Sequence, residues 1–341
     1  MLHCKNFMVL FLLLVICAPL AANAAAKTHA GTVTVAVDLS AGESGKDAEL
    51  WLPYPVSDSE QTITDVRISG DFSHSAVYTD NVNSTPMLYA KWESGVKSRK
   101  LTFSFKAERQ EVIRRDFPKK EAAWDPADYH MYLQGTSKAP LNGEIVKLAR
   151  KITAGKKTVL AKAKAIYDWT CDNTYRDPNT RGCGEGNVCN LLLNPGGKCA
   201  DIHSVFVALA RAAGVPSREI FGLRLGKHGT DDITTWQHCW AEFYLPGYGW
   251  VPVDAADVRK AMLTEKLTLK DAKTREYREY FWGGIDPYRV KLSTGRDLLL
   301  NPPQPGEPVN YLMYPFARIG VKTLDWLDPA AFTYTISYSA R

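Results

Sequence analysis

The sequence predicts an α+β chain, with a strand-rich segment first and a segment of helices and antiparallel strands after it. Three observations predict this. Between about 32 and 114, short runs alternate apolar and polar residues with period two: GTVTVAVDLS, AELWLPYPV, ITDVRISG, SAVYTD, MLYAKWES and KLTFSFKAERQ. From about 143 to 213 the apolar spacing lengthens to that of helices. Beyond 217 strands return in REIFGLRLG, TTWQHCWAEFYL and GWVPVDAA. Strands grouped apart from helices, without βαβ alternation, argue against a parallel doubly wound sheet.

Each element follows in order. Residues 1–24 hold Lys5, an apolar run from Phe7 through Ile16 and the small-residue triplet Ala22-Asn23-Ala24. That is the pattern of a secretory signal peptide cut before Ala25. The run is too short for a spanning helix, and Ile16 before Cys17 is a poor match to the small residue that a lipid-anchored cysteine wants. The expectation is an exported protein, periplasmic or secreted, with no stable membrane insertion after cleavage. Segment 25–115 has the strand spacing of a small β-sandwich, a packing or spacer module. Residues 116–140 form a polar, proline-marked linker. Segment 141–341 opens with helices near Gly143–Ile152 and Thr158–Asn173, then a loop rich in Gly, Asn and Pro up to Cys199. In the next helix Ile202, Val205, Phe206, Leu209 and Ala213 define one buried face, and Gly214 and Pro216 end it. A further helix fits Leu269–Tyr280, and turn-rich strands close the chain at FTYTISYSA.

At 341 residues the chain is long enough for two domains. Its 42 basic and 37 acidic residues give a net charge of only +5, and no Lys/Arg run argues for a nucleic-acid partner. Of seven cysteines, Cys4 and Cys17 leave with the signal; Cys171, Cys183, Cys189, Cys199 and Cys239 remain. An oxidising compartment favours paired cysteines. With Cys199 set apart, the other four form an even set whose connectivity spacing does not reveal.

Cys199 stands out because it follows GGK and starts an apolar helix. Unpaired N–H groups and the positive end of the helix dipole favour the thiolate there, and the same amides can hold an oxyanion. Such a nucleophile needs a base, and the base a group to orient it. His238 sits mid-strand in TTWQHCWAEFY, with Trp236, His238, Trp240 and Glu242 on one face. The strand turns through YLPGY into GWVPVDAA. If Phe243 pairs with Gly249, Asp254 lies directly opposite His238; a turn tighter by two residues places it diagonally, on the same face. Pro252 marks an edge strand or bulge and loosens this register. A carboxylate beside an imidazole fixes its tautomer and stabilises the imidazolium.

GGKCADIHSVFVALARAAGVPSREI, HCWAEFYLPGYGWVPVDAA and the upstream AIYDWTCDNTYRD resemble the transglutaminase-like domain of bacterial exported proteins, over about Leu141–Leu300. The resemblance implies a papain-like core with Cys199 as nucleophile, His238 as base and Asp254 as its orienter. It implies a thioester formed from a peptide or glutamine-type amide, then passed to water or an amine. Protein or peptide substrates follow, cell-wall peptide among them. It also points to Tyr175 as an aromatic whose polar edge supports the oxyanion; packing alone explains it equally well. No cofactor and no metal are expected.

Other residues have plainer readings. His203, four residues after Cys199, is a rival base that lacks an orienting carboxylate at a readable spacing, so a core role is expected. Trp240 and Glu242 shape the core. Cys183 and Cys189, with His228 and Asp231 downstream, lack zinc spacing. Asp231-Asp232 fits a surface turn. Asp286, Arg289, Arg296 and Asp297 either brace the site or form ordinary ion pairs, the latter being the simpler expectation. The competing function is a non-catalytic peptide- or cell-wall-binding protein that retains the fold.

Overall fold

The structure, a computed structural model, describes residues 27–340; the expected signal peptide at 1–24 lies outside them. Six strands come first: β1 (Thr28–Asp38), β2 (Ala48–Pro53), β3 (Gln61–Gly70), β4 (His74–Thr79), β5 (Pro86–Trp92) and β6 (Lys100–Gln110). In β1 the side chains of Val33, Val35 and Val37 are buried while Thr32 is exposed, the alternation a half-buried sheet requires. β7 (Val112–Ile113) precedes the proline-marked stretch, which holds a short 3₁₀ segment at Pro126–Leu133. Then follow α1 (Gly143–Ile152), α2 (Val159–Asn173), β8 (Tyr175–Arg176), α3 (Val188–Leu193), β9 (Gly196–Gly197) and α4 (Cys199–Ala212). The second half runs β10 (Ser217–Arg224), β11 (Thr230–Asp232), β12 (Gln237–Leu245), β13 (Gly249–Val253), α5 (Ala255–Thr264) and α6 (Ala272–Tyr280). It ends with β14 (Gly284–Ile285), β15 (Arg289–Thr294), β16 (Phe316–Ile319), β17 (Lys322–Thr323) and β18 (Thr333–Ala340).

Two five-stranded sheets, in the orders β11-β18-β1-β6-β3 and β17-β16-β2-β5-β4, make the sandwich. The chain's last strands, expected with the helical segment, therefore return to complete it: β18 lies antiparallel to β1, and β16 to β2. Gly31 makes this pairing possible, since a Cβ there would stand 2.3 Å from the ring of the fully buried Tyr338. Asp231 and Asp232 lie on the edge strand β11 rather than in a turn.

The third sheet is antiparallel, β13-β12-β10-β15, and carries the site. The helices share one core with its inner side chains Phe221, Cys239, Ala241 and Phe243. Its Leu223, Val290 and Leu292 join the sandwich core instead. Covered on both faces, β12 is buried at almost every position, which is why HCWAEF shows no apolar–polar alternation. Among the described residues no helix is long and apolar enough to cross a membrane.

Candidate active site

Cys199 is the first residue of α4, and all residues from Cys199 to Ala210 are buried, so this helix runs through the core. Asp201 explains the glycines around it. Its carboxylate accepts from the Lys198 N–H at 3.1 Å and from the Gly186 N–H at 2.8 Å. A Cβ at Gly197 would stand 2.5 Å from the Asp201 Cβ, and one at Gly184, whose φ is +91°, only 1.8 Å from Oδ2. Bare backbone lets the loop close over the helix's first turn, where a carboxylate also satisfies free N–H groups. The Ala200 N–H, among the donors expected to face an oxyanion, is taken by the Cys183 carbonyl at 2.9 Å. Beneath α4, Arg296 pairs with Glu219 at 2.6 Å and donates to Ser204 at 2.6 Å, while Ser204 donates to Glu219 at 2.7 Å, tying the helix to β10.

His238 comes from β12 and Asp254 from the end of β13. The hairpin takes the tighter of the two registers, with Phe243 opposite Val251 and Leu245 opposite Gly249. Direct opposition of His238 and Asp254 is thereby corrected to the diagonal arrangement. β13 is the edge strand that Pro252 implies. Asp254 leaves it to cap α5, a helix the strand-like GWVPVDAA concealed, its Oδ1 accepting the Asp257 N–H at 2.8 Å. His238 Nε2 lies 2.7 Å from Asp254 Oδ2, which leaves Nδ1 for the sulfur.

Asp254 is 0 % exposed, so its charge must be met by partners. Arg289 Nη1 contacts Oδ2 at 2.5 Å, and His203 Nε2 stands 3.2 Å from Oδ1. The fully buried Arg289 also pairs with Asp257 at 3.0 Å and with Asp286, while Arg224 pairs with Asp257. Asp286 and Arg289 thus brace the site directly, whereas Arg296 acts under the helix and Asp297 binds Ser137 at 2.8 Å. His203 has the carboxylate the sequence did not reveal, because Asp254 serves both histidines, and its Nδ1 lies 3.5 Å from Cys239 Sγ.

The electrostatics follow from this geometry. Hydrogen bonds from Cys183 and Cys239, then His238 and its charge, outweigh burial and hold the Cys199 thiol well below its ordinary range. Burial and Arg224 push His238 down, but Asp257 and Asp254 raise its pKa overall. Burial opposes the Asp254 charge, yet the two histidines keep the carboxyl well below the usual range. Arg224 likewise brings Asp257 down to about 2 against its burial. A thiolate–imidazolium pair is the favoured state. His238, Asp254 and Asp257 offer three ligand atoms within 4.8 Å of one another, but arginines already neutralise both carboxylates.

All five described cysteines are free, which corrects the expected pairing of Cys171, Cys183, Cys189 and Cys239. Cys183 and Cys239 converge on Cys199 instead, Cys171 is buried beside Tyr167, and Cys189 is exposed. Tyr175 is 43 % exposed on β8, which runs parallel to the β9 glycines, and its hydroxyl donates to Asn194 Oδ1 at 3.0 Å. Sequence reasoning missed Asp201 and Asp257. A carboxylate at the third position of a helix was a readable capping signal for the first; the second becomes visible only once α5 is recognised.

A family model of the transglutaminase-like superfamily matches residues 146–255, a span holding Cys199, His238 and Asp254. An uncharacterised Haemophilus influenzae protein is 33 % identical over 338 residues, covering 92 % of this chain and 91 % of its own. Residues 146–255 of the chain belong to the transglutaminase-like superfamily. A shorter match, 30 % identical over 118 residues, spans 30 % of this chain and 16 % of the uncharacterised Bacillus subtilis protein YebA. Among solved structures, a candidate cysteine protease from Cytophaga hutchinsonii superposes with a TM-score of 0.56 at 16 % identity, covering 92 % of this chain and 98 % of its own. That likeness, at such low identity, is one of fold, and it takes in most of the chain.

Proposed function

We propose that this transglutaminase-like protein is an exported cysteine acyl-transfer enzyme acting on peptide or glutamine-type amide bonds. The observation that carries the reading is the buried Cys199–His238–Asp254 arrangement, with a free thiol at a helix start and Asp254 2.7 Å from the imidazole. In the first step Cys199 Sγ attacks the amide carbonyl carbon. The C–N bond breaks, and His238 Nδ1 gives its proton to the leaving amine. In the second step His238 takes a proton from water or an acceptor amine, whose oxygen or nitrogen attacks the thioester, and the thiolate is released. The Cys199 N–H serves the oxyanion, with Tyr175 on the strand beside the cysteine loop as a further candidate. Export rests on residues 1–24.

The competing reading, a peptide- or cell-wall-binding protein that keeps the fold without turnover, rests on the 2 % exposure of Cys199. One experiment separates them. The protein is incubated with a peptide library and an amine donor, and mass spectrometry follows cleavage, deamidation and amine incorporation. Products that vanish in Cys199→Ala support acyl transfer; binding of peptides without any product supports the alternative.

A further inference from the structure

Beside the nucleophile lies a cavity of about 360 Å³. Its near wall includes Cys183, Lys198 and Gln237, that is, a thiol in contact with Cys199 and the residues immediately before Cys199 and His238. Its far wall comes from the other end of the chain, where Tyr314, Trp326, Leu327 and Phe332 present rings and a branched aliphatic group. That wall is fixed. Arg181 on the cysteine loop pairs with Asp325 at 2.6 Å, and the Tyr334 hydroxyl donates to the Trp326 carbonyl at 3.0 Å.

We propose that this cavity is the subsite that selects the acyl donor, and that it takes a large apolar, preferably aromatic, side chain of a peptide substrate. The inference rests on the acyl-transfer reading and deepens it. The cavity is at the small end of ligand pockets, which run to roughly 300–1,000 Å³, and so suits one large side chain with its adjoining backbone. Rings on the far wall reward burial of apolar surface and offset aromatic contact. Arg181 is already matched by Asp325, which leaves Lys198 as the cavity's remaining cation, and the Glu probes below read whether it outweighs the apolar far wall. Because Tyr334 lies on β18, the sandwich is the support of the specificity wall, a role beyond that of a spacer.

The test uses a matched set of dipeptidyl chloromethyl ketones carrying Phe, Ala or Glu at either of the two positions next to the reactive carbon. Labelling of Cys199 is followed by mass spectrometry, with iodoacetamide as a probe that has no side chain to place. Expected is labelling by a Phe probe at least about tenfold faster than by its Ala counterpart at one position. Thr235→Trp from the near wall, or Leu327→Trp from the far wall, should bring that ratio close to one; two variants guard against one that fails to fold. If iodoacetamide labels Cys199 normally while Ala or Glu probes match or exceed Phe, the subsite assignment is overturned and the acyl-transfer reading stands. If no reagent labels Cys199, both fall.

Discussion

Asp254 is the residue on which the site turns. A single buried carboxylate holds His238 with Oδ2 and His203 with Oδ1, so the two histidines are coupled through it but not equivalent. His238 faces the sulfur and His203 faces a second thiol, Cys239. His238→Ala should therefore lower acylation by an activated ester by on the order of 10²-fold or more, and Asp254→Asn should cost less. His203→Ala leaves the His238–Asp254 pair in place, so its loss in rate should be far smaller. Its cost should appear in stability instead, about 2 kcal/mol or more by chemical denaturation, because it opens a hole and strips a partner from a buried oxygen. Equal loss of acylation in both histidine variants would show that His203 shares the base's role. Cys239 offers a second measurement. Its thiol beside Cys199 helps hold the Cys199 thiol well below its ordinary range. The alkylation rate of Cys199 should be flat through neutrality and fall only in acid. Cys239→Ala should shift that fall to higher pH, and Cys239→Ser, which keeps a donor, should restore it; an unmoved profile in Cys239→Ala would refute the role.

At the scale of elements, the site is where α4, the β12–β13 hairpin, α5 and β15 meet, and Arg289 on β15 fastens them. It is fully buried and faces Asp254, Asp257 and Asp286. Arg289→Gln takes a shared cation from three carboxylates, with Arg224 still on Asp257 and the histidines still on Asp254, and should destabilise the protein by about 3–5 kcal/mol at neutral pH. The sign with pH follows from the lowered carboxyl pKa values of Asp286, held down against burial chiefly by Arg289, and of Asp257, to which Arg289 also contributes. A carboxylate whose folded pKa is depressed stabilises the fold above its unfolded value, near 3.9, and loses that contribution as pH falls through the folded value. The gap between wild type and variant should therefore be full at neutral pH and close on acidification; a gap that stays constant to pH 2 would contradict it. The face shared by His238 and Asp254 was legible from hairpin spacing, because side-chain alternation survives a two-residue shift in register. The register was not, since turn length and the edge-strand proline decided it locally. Nor was α5, whose first turn reads like the end of a strand until Asp254 is seen capping it.

Over the whole molecule, the chain closes on itself. β18 and β16 return to β1 and β2, and Leu223, Val290 and Leu292 of the catalytic sheet share a core with the sandwich. Neither part has a complete core alone, so unfolding should be a single transition. Circular dichroism and the alkylation of Cys171, which is 0 % exposed, should report the same denaturant midpoint. Two separated transitions would show that sandwich and catalytic sheet fold independently. Truncation after residue 315 removes β16, β17 and β18 and should abolish cooperative folding of both parts, not of the sandwich alone.

What the sequence by itself determined is what local periodicity and short spacing encode. The α+β class, the first six strands of the sandwich, the apolar helix behind Cys199 and the shared face of His238 and Asp254 all lie within tens of residues, where alternation and helical spacing speak directly. What only the tertiary structure decided depends on segments far apart in the chain. Arg289 reaching Asp254, Cys183 and Cys239 gathering on Cys199 as free thiols, and Tyr314 to Phe332 walling the cavity beside it are such contacts. The physical reason is that a buried charge or thiol is defined by whatever surrounds it, and those surroundings are assembled by packing rather than by neighbours in sequence.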